Sequence, residues 1–220
     1  MVLGMFQSEM TRPKGGLAEL MACQLRRMIK RDNLTLEKVD SSLGEIQETC
    51  KRIEKIIDGL RAFSRESGHD PLEVARLDKI IEDTLGYCEK RIRNWGIKLI
   101  LDMLDPKISV ECRPVQISEI LLNLLNNSFD SVCKGPSSWI TISVMAKGKQ
   151  VDISVVDSGK GVSRDIQEKM FQPFFTTKAV GEGTGLGLSI SKGLAEVNGG
   201  KLTYDFASPN TRFILTLKRA

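Results

Sequence analysis

Residues 119–131 read EILLNLLNNSFDS, and the spacing of the polar members decides how the C-terminal part of the chain folds. Glu119, Asn123 and Asn127 recur four residues apart, which on a helix places them on one face. The leucines and Phe129 take the other face, and the pattern from Val115 to Val132 predicts a single helix. A face made of one acid and two amides suits a hydrated magnesium ion, which takes oxygen ligands from side chains, water and phosphates. A solvent-facing stripe would have the same pattern, so the face acquires meaning from what surrounds it.

Outward from this helix, period-two alternation marks strands at WITISVMA (139–146) and QVDISVVD (150–157). The lysine-flanked turn around Gly148 joins them into a hairpin. Upstream, Leu77, Ile80, Ile81, Leu85 and Cys88 share one face of a helix expected over 77–92, and IKLILDML and ISVEC read as strand segments. Downstream, a helix is expected from near Leu186, and KLTYDF and RFILTL close the chain as a second strand pair. Strands lying on helices give a two-layer α/β sandwich.

Three further stretches carry chemistry. In DSGKGV, Asp157 sits at a strand end and Gly159 and Gly161 follow. That combination offers a hydrogen-bond acceptor for an exocyclic amine such as that of adenine, with backbone able to approach a flat ring; a plain turn is the bland alternative. In FQPFFTTK, Phe171, Phe174 and Phe175 stand beside Thr176, Thr177 and Lys178, which reads as the anchor of a mobile segment or as a small satellite core. In GEGTGLGLSISKGLAE, Gly181, Gly183, Gly185 and Gly187 run directly into an amphipathic helix, so backbone N–H groups can cradle phosphates. The stretch lacks the GK[ST] of a P-loop and does not follow a strand as a dinucleotide fingerprint would.

In this order the four stretches resemble the ATP-binding domain of sensor histidine kinases, a branch of the group that includes the gyrase, Hsp90 and MutL ATPases. NLLNNSFDS is similar to the family's N box, DSGKG to its first glycine box, FQPFFTTK to its phenylalanine box and GTGLGLSISK to its second glycine box. The resemblance covers residues 76–220 and implies ATP and magnesium as ligands. It implies that Asn127 holds the metal, with Glu119 and Asn123 supporting metal and phosphates. It further implies that Asp157 takes the adenine amine in a pocket shaped by Gly159 and Gly161. Lys178, Gly183, Thr184, Gly185, Leu186 and Gly187 would form the lid and phosphate contacts.

Residues 1–68 read differently. Val39, Leu43, Ile46, Cys50, Ile53, Ile57 and Leu60 step by four and three, a heptad seam with charged residues on the other faces. Leu17, Leu20, Met21, Leu25, Met28 and Ile29 form a second stripe, and RDNLTLEK between them is a polar turn with Asn33 or Thr35 as N-cap. Two helices bury two seams poorly alone, so the expectation is a homodimer forming an antiparallel four-helix bundle; packing on the chain's own C-terminal domain is the alternative. A hinge is expected over 69–75, with the only histidine, His69, as a solvated residue within it. The overall class is therefore α+β, a dimerisation hairpin followed by the sandwich.

In kinases of this family the hairpin's first helix carries a phosphate-accepting histidine in a form like HEINNP. LRAFSR at 60–65 is similar to the end of the second helix, and SEMTRP at 8–13 lies where the acceptor motif belongs. This puts Ser8 at the histidine's position, Glu9 on the acid after it and Pro13 on the proline. Gly15 and Gly16 each weaken a helix by about 1 kcal/mol relative to alanine. No histidine occurs in residues 1–68.

The net charge of +4 over 220 residues is mild, and basic and acidic residues intermingle, so the charge carries no nucleic-acid footprint. No apolar run reaches the roughly 20 residues of a membrane span. Five cysteines without CxxC spacing read as free thiols of a cytoplasmic chain. Three functions fit: a histidine-kinase-type enzyme with a substituted acceptor, acting with a response regulator receiver domain; a hydroxyl kinase on Ser8 or another protein; or a nucleotide-gated dimeric regulator of a partner kinase or response regulator.

Overall fold

The computed structural model describes residues 71–220 apart from 104, 106, 134, 136 and 180–182, together with 35, 37, 39–41, 43, 44, 46 and 47. The chain divides into two compact units, Met1–Asp58 and Gly59–Ala220. In the first, the described residues from 37 to 47 are helical, and the Thr35 carbonyl accepts the Val39 N–H at 3.1 Å. That is the backbone bond expected of a helix beginning at this turn. The rest of the expected hairpin, Ser8, Glu9, LRAFSR and His69 lie outside the described residues.

In the second unit the elements run β1 (Glu73–Arg76), α1 (Leu77–Asn94), β2 (Lys98–Met103), β3 (Ser109–Cys112), α2 (Pro114–Val132), β4 (Trp139–Lys147), β5 (Gln150–Asp157), α3 (Arg164–Gln167), α4 (Gly187–Val197), β6 (Lys201–Tyr204) and β7 (Arg212–Lys218). Five strands form one sheet in the order β2-β4-β5-β7-β6, in which β2 and β4 are parallel and the other pairs antiparallel. The Gly148 hairpin closes as expected, with Lys147 opposite Gln150.

The alternation of the strands sets which face is covered. Ile140, Ile142 and Val144 of β4, Val151, Ile153 and Val155 of β5, and Phe213, Leu215 and Leu217 of β7 are all buried. They meet Ile117, Ile120, Leu121, Leu124 and Leu125 of α2, each fully buried. Each such side chain contributes about 1.5–3 kcal/mol when taken from water, so α2 is the helix that the sheet most firmly holds. Proline at its start suits a helix's first turn, where the missing N–H has no intrahelical partner anyway.

The hinge expected over 69–75 ends sooner than its composition suggests. Glu73, Val74 and Ala75 pair with Cys112, Glu111 and Val110 in an antiparallel ladder. Gly68 and Pro71 signal a break locally, but a partner strand more than 30 residues away satisfies this backbone. The four-residue helix α3, just after the first glycine box, was also not expected.

Candidate functional site

The polar face of α2 is the floor of the site. Asn123 and Asn127 are half-buried, while Glu119, one turn before Asn123, is exposed. The same four-residue step continues to Ser131, and at 1.5 Å per residue the line from Asn123 to Ser131 is about 12 Å long. Each end meets a different part of the chain.

At the Asn123 end stands the start of α4. Asn123 Nδ2 donates to Ser191 Oγ at 2.8 Å, and a Cβ on Gly187 would collide with the Asn123 amide. No side chain caps α4, and the first N–H groups of any helix lack intrahelical partners. They and the helix dipole favour an anion at this place. Just before α4, Gly185 has φ +66° and lies so close to the backbone of Phe174 that a side chain there has no room. Phe174 itself is exposed and has φ +66°, a strained value for a bulky residue. The phenylalanine loop and the second glycine loop are thus pressed together, while Phe171 and Phe175 pack on the core. Of the three phenylalanines, one is exposed and two face inward. Gly183 abuts Thr176 and Lys178, the Thr184 hydroxyl accepts the Leu186 N–H at 3.4 Å, and Leu186 is buried.

At the Ser131 end stands Asp157, only 1% exposed. The Gly159 N–H donates to its Oδ1 at 2.8 Å, and the hydroxyls of Ser128 and Thr211 also hydrogen-bond to it. Burial pushes the carboxyl's pKa above the ordinary aspartate value, and these three donors pull against it. A Cβ on Gly159 would lie 2.7 Å from Asp157 Oδ1, 2.9 Å from Thr211 Oγ1 and 3.1 Å from Ser131 Oγ. Only a residue without a side chain fits there, so the backbone of Gly159 lies directly against the buried acceptor. Gly161, at φ +78°, turns the chain so that the Val162 N–H reaches Tyr204 OH at 3.0 Å. Tyr204 is buried against Phe213 and Phe206.

One residue before Ser131, Asp130 of α2 joins the phenylalanine loop to α1. Its Oδ2 accepts from Lys178 Nζ at 2.5 Å, and its Oδ1 lies 3.6 Å from Arg91 Nη2. Arg91 also stacks 4.0 Å over the Phe129 ring.

Asn123, Asp157, Gly159, Lys178 and Gly187 therefore lie along α2, while Gly183 and Gly185 pack on the phenylalanine loop. Sequence reasoning missed Ser128, Ser131, Thr211, Ser191 and Asp130. Ser131 continues the i, i+4 series that singled out Asn123 and Asn127, so its signal was present. Thr211 reaches Asp157 only because β7 pairs with β5, which no local pattern announces.

Residues 112–220 match the histidine kinase-, DNA gyrase B-, and HSP90-like ATPase family. The C-terminal half of the chain is a histidine-kinase-type ATPase domain. The kinase branch is borne out by relatives among two-component sensor proteins. The chain is 31% identical over 172 residues to the C4-dicarboxylate transport sensor protein DctB of Pseudomonas aeruginosa, covering 78% of this chain and 28% of that one. It is 29% identical over 216 residues to the sensor protein FixL of Bradyrhizobium diazoefficiens, covering 96% of this chain and 42% of that one. The chain thus spans well under half the length of both relatives. The catalytic domain of the histidine kinase ThkA matches with a TM-score of 0.62 at 29% identity, over 68% of this chain and 97% of that domain. ThkA in complex with the response regulator TrrA matches with a TM-score of 0.70 at 25% identity, over 91% of this chain and 57% of ThkA.

The described residues contain no cluster of three or more acids, histidines or cysteines that could hold a metal. The polar face of α2 instead offers amide oxygens and the Glu119 carboxylate. That donor set fits magnesium, which keeps much of its water and is commonly held through substrate phosphates. None of the described helices is long and apolar enough to cross a membrane.

Proposed function

We propose that this histidine-kinase-type domain binds Mg-ATP along α2 for phosphoryl transfer in a two-component system. The observation that carries the reading is the buried Asp157 beside Gly159, because a solvated adenine amine gains an acceptor there that has already been desolvated. The phosphates would lie toward Asn123 and the start of α4, with Asn127 holding magnesium and Glu119 supporting it. Lys178, Thr184, Gly185 and Gly187 would close over them. Phosphoryl transfer needs mainly positioning and charge neutralisation, and these residues provide both without a protein nucleophile in the domain.

The acceptor is a separate matter. Residues 1–68 would form the dimerisation hairpin and pair two copies of the chain, and a response regulator receiver domain would be the downstream partner in the cytoplasm. Ser8 occupies the acceptor position and Glu9 the acid beside it, in a chain whose only histidine is His69. That substitution favours a second reading, in which nucleotide occupancy controls a partner kinase or regulator without autophosphorylation. The mass of the intact chain after incubation with Mg-ATP separates these. An acid-stable, base-labile phosphate lost in Ser8→Ala means a hydroxyl kinase, and an acid-labile adduct points to His69. Nucleotide bound without adduct supports the regulator or an acceptor on another protein. Failure to bind Mg-ATP at all rejects the nucleotide reading.

A further inference from the structure

We propose that Asp130 is a positioning residue for Lys178, holding its ammonium over the polar face of α2 beside Asn127, within reach of the phosphates; this rests on the reading of Lys178 as a phosphate contact. Lysine is a poor point anchor on its own, since its flexible four-carbon stem must be ordered before the charge is useful. Here both ends of the residue are held. The Lys178 N–H donates to Thr176 Oγ1 at 3.1 Å and Nζ to Asp130 Oδ2 at 2.5 Å. Asp130 follows Asn127 by three residues and Asn123 by seven, so it shares their side of the helix and lies one turn beyond Asn127. An ammonium carries three N–H donors; Asp130 takes one and leaves the others for an anion on the same face.

A carboxylate near phosphates would by itself repel them. Arg91 offsets this, for its Nη2 lies 3.6 Å from Asp130 Oδ1 while its ring stacking on Phe129 and its 3.4 Å bond to Asn126 Oδ1 keep it in place. Two cations on one acid leave the cluster net positive, so Asp130 orders Lys178 without cancelling its charge.

Titration calorimetry on the full chain, with Mg-ATP and with adenosine, tests this. Asp130→Asn is expected to weaken Mg-ATP about three- to fivefold, in keeping with a partly exposed ion pair, and to leave adenosine unchanged. In a Lys178→Ala background the sign reverses, because Asp130 has then lost its lysine and Asn removes a repulsive charge. The proposal is overturned if D130N tightens Mg-ATP binding while Lys178 is present, which would mean that the acid competes with phosphate for the lysine. Equal weakening of adenosine, no effect on Mg-ATP, or the same loss with and without Lys178 also overturns it. Wild-type chain that binds neither ligand rejects the nucleotide reading itself, an outcome distinct from binding that ignores Asp130.

Discussion

The two ends of the α2 face are built in opposite ways. At the Asp157 end a single buried carboxylate is fixed by three donors and backed by an aromatic cluster on the sheet. At the Asn123 end the site is made by loops, with two residues at positive φ in contact and Phe174 exposed. The first end belongs to the core, and a fixed acceptor there would suit recognition of an invariant ring. The second is assembled from segments that cost strain to hold, which suits a group that must be gripped and then released.

The sharpest test of that difference is Asp157→Asn. Adenosine and Mg-ATP affinity should fall about 30- to 100-fold, the loss of a hydrogen bond to a charged group in a buried site. Stability should not fall with it. An acid whose folded pKa is raised contributes stability below its unfolded pKa of about 4 and loses it as pH rises through the folded value. At neutral pH the buried charge is therefore a cost, and the melting temperature of the variant should hold or rise. A clear drop on differential scanning calorimetry would show that the three donors, not the adenine, are what Asp157 serves.

The pH profile of adenosine binding follows from the same shift. Affinity should decline on acidification beginning above the ordinary carboxylate range near pH 4, and the profile should be flat in Asp157→Asn. A midpoint at or below that range would mean that the donors outweigh burial.

At the other end, Gly185→Ala should weaken Mg-ATP about tenfold, since a side chain at φ +66° costs on the order of 1–2 kcal/mol and also meets the Phe174 backbone. Adenosine affinity should change little, and a parallel loss for adenosine would show that the two ends are one mechanical unit. The smallest effect is expected for Ser131→Ala, about two- to threefold on adenosine, because its hydroxyl packs against Gly159 without bonding Asp157. Competition against a fluorescent nucleotide is sensitive enough to resolve it.

Much of this site was legible from residue spacing. The 119–131 helix, its polar face, the Gly148 hairpin and the glycine-rich approach to α4 depend on neighbours within a few turns, and periodicity reports such neighbours directly. Ser131 could have been read by extending the series one step. Ser128, the residue after Asn127, was hidden because a buried serine looks like a small core residue until an acid is placed beside it. Tyr204, an ordinary member of an alternating strand, and Thr211, the residue before β7, gave no signal.

What the chain's order of residues decides is the set of elements and which of their faces is polar, since both follow from 3.6- and 2-residue periods. It also decides that the only histidine is His69. What required the folded molecule is the pairing of β1 with β3, the meeting of Asp157 with Thr211 across β5 and β7, and the bridge from Arg91 through Asp130 to Lys178. Each joins residues separated by tens of positions, and such contacts are set by which buried surfaces the core brings together rather than by any local preference of the residues that make them.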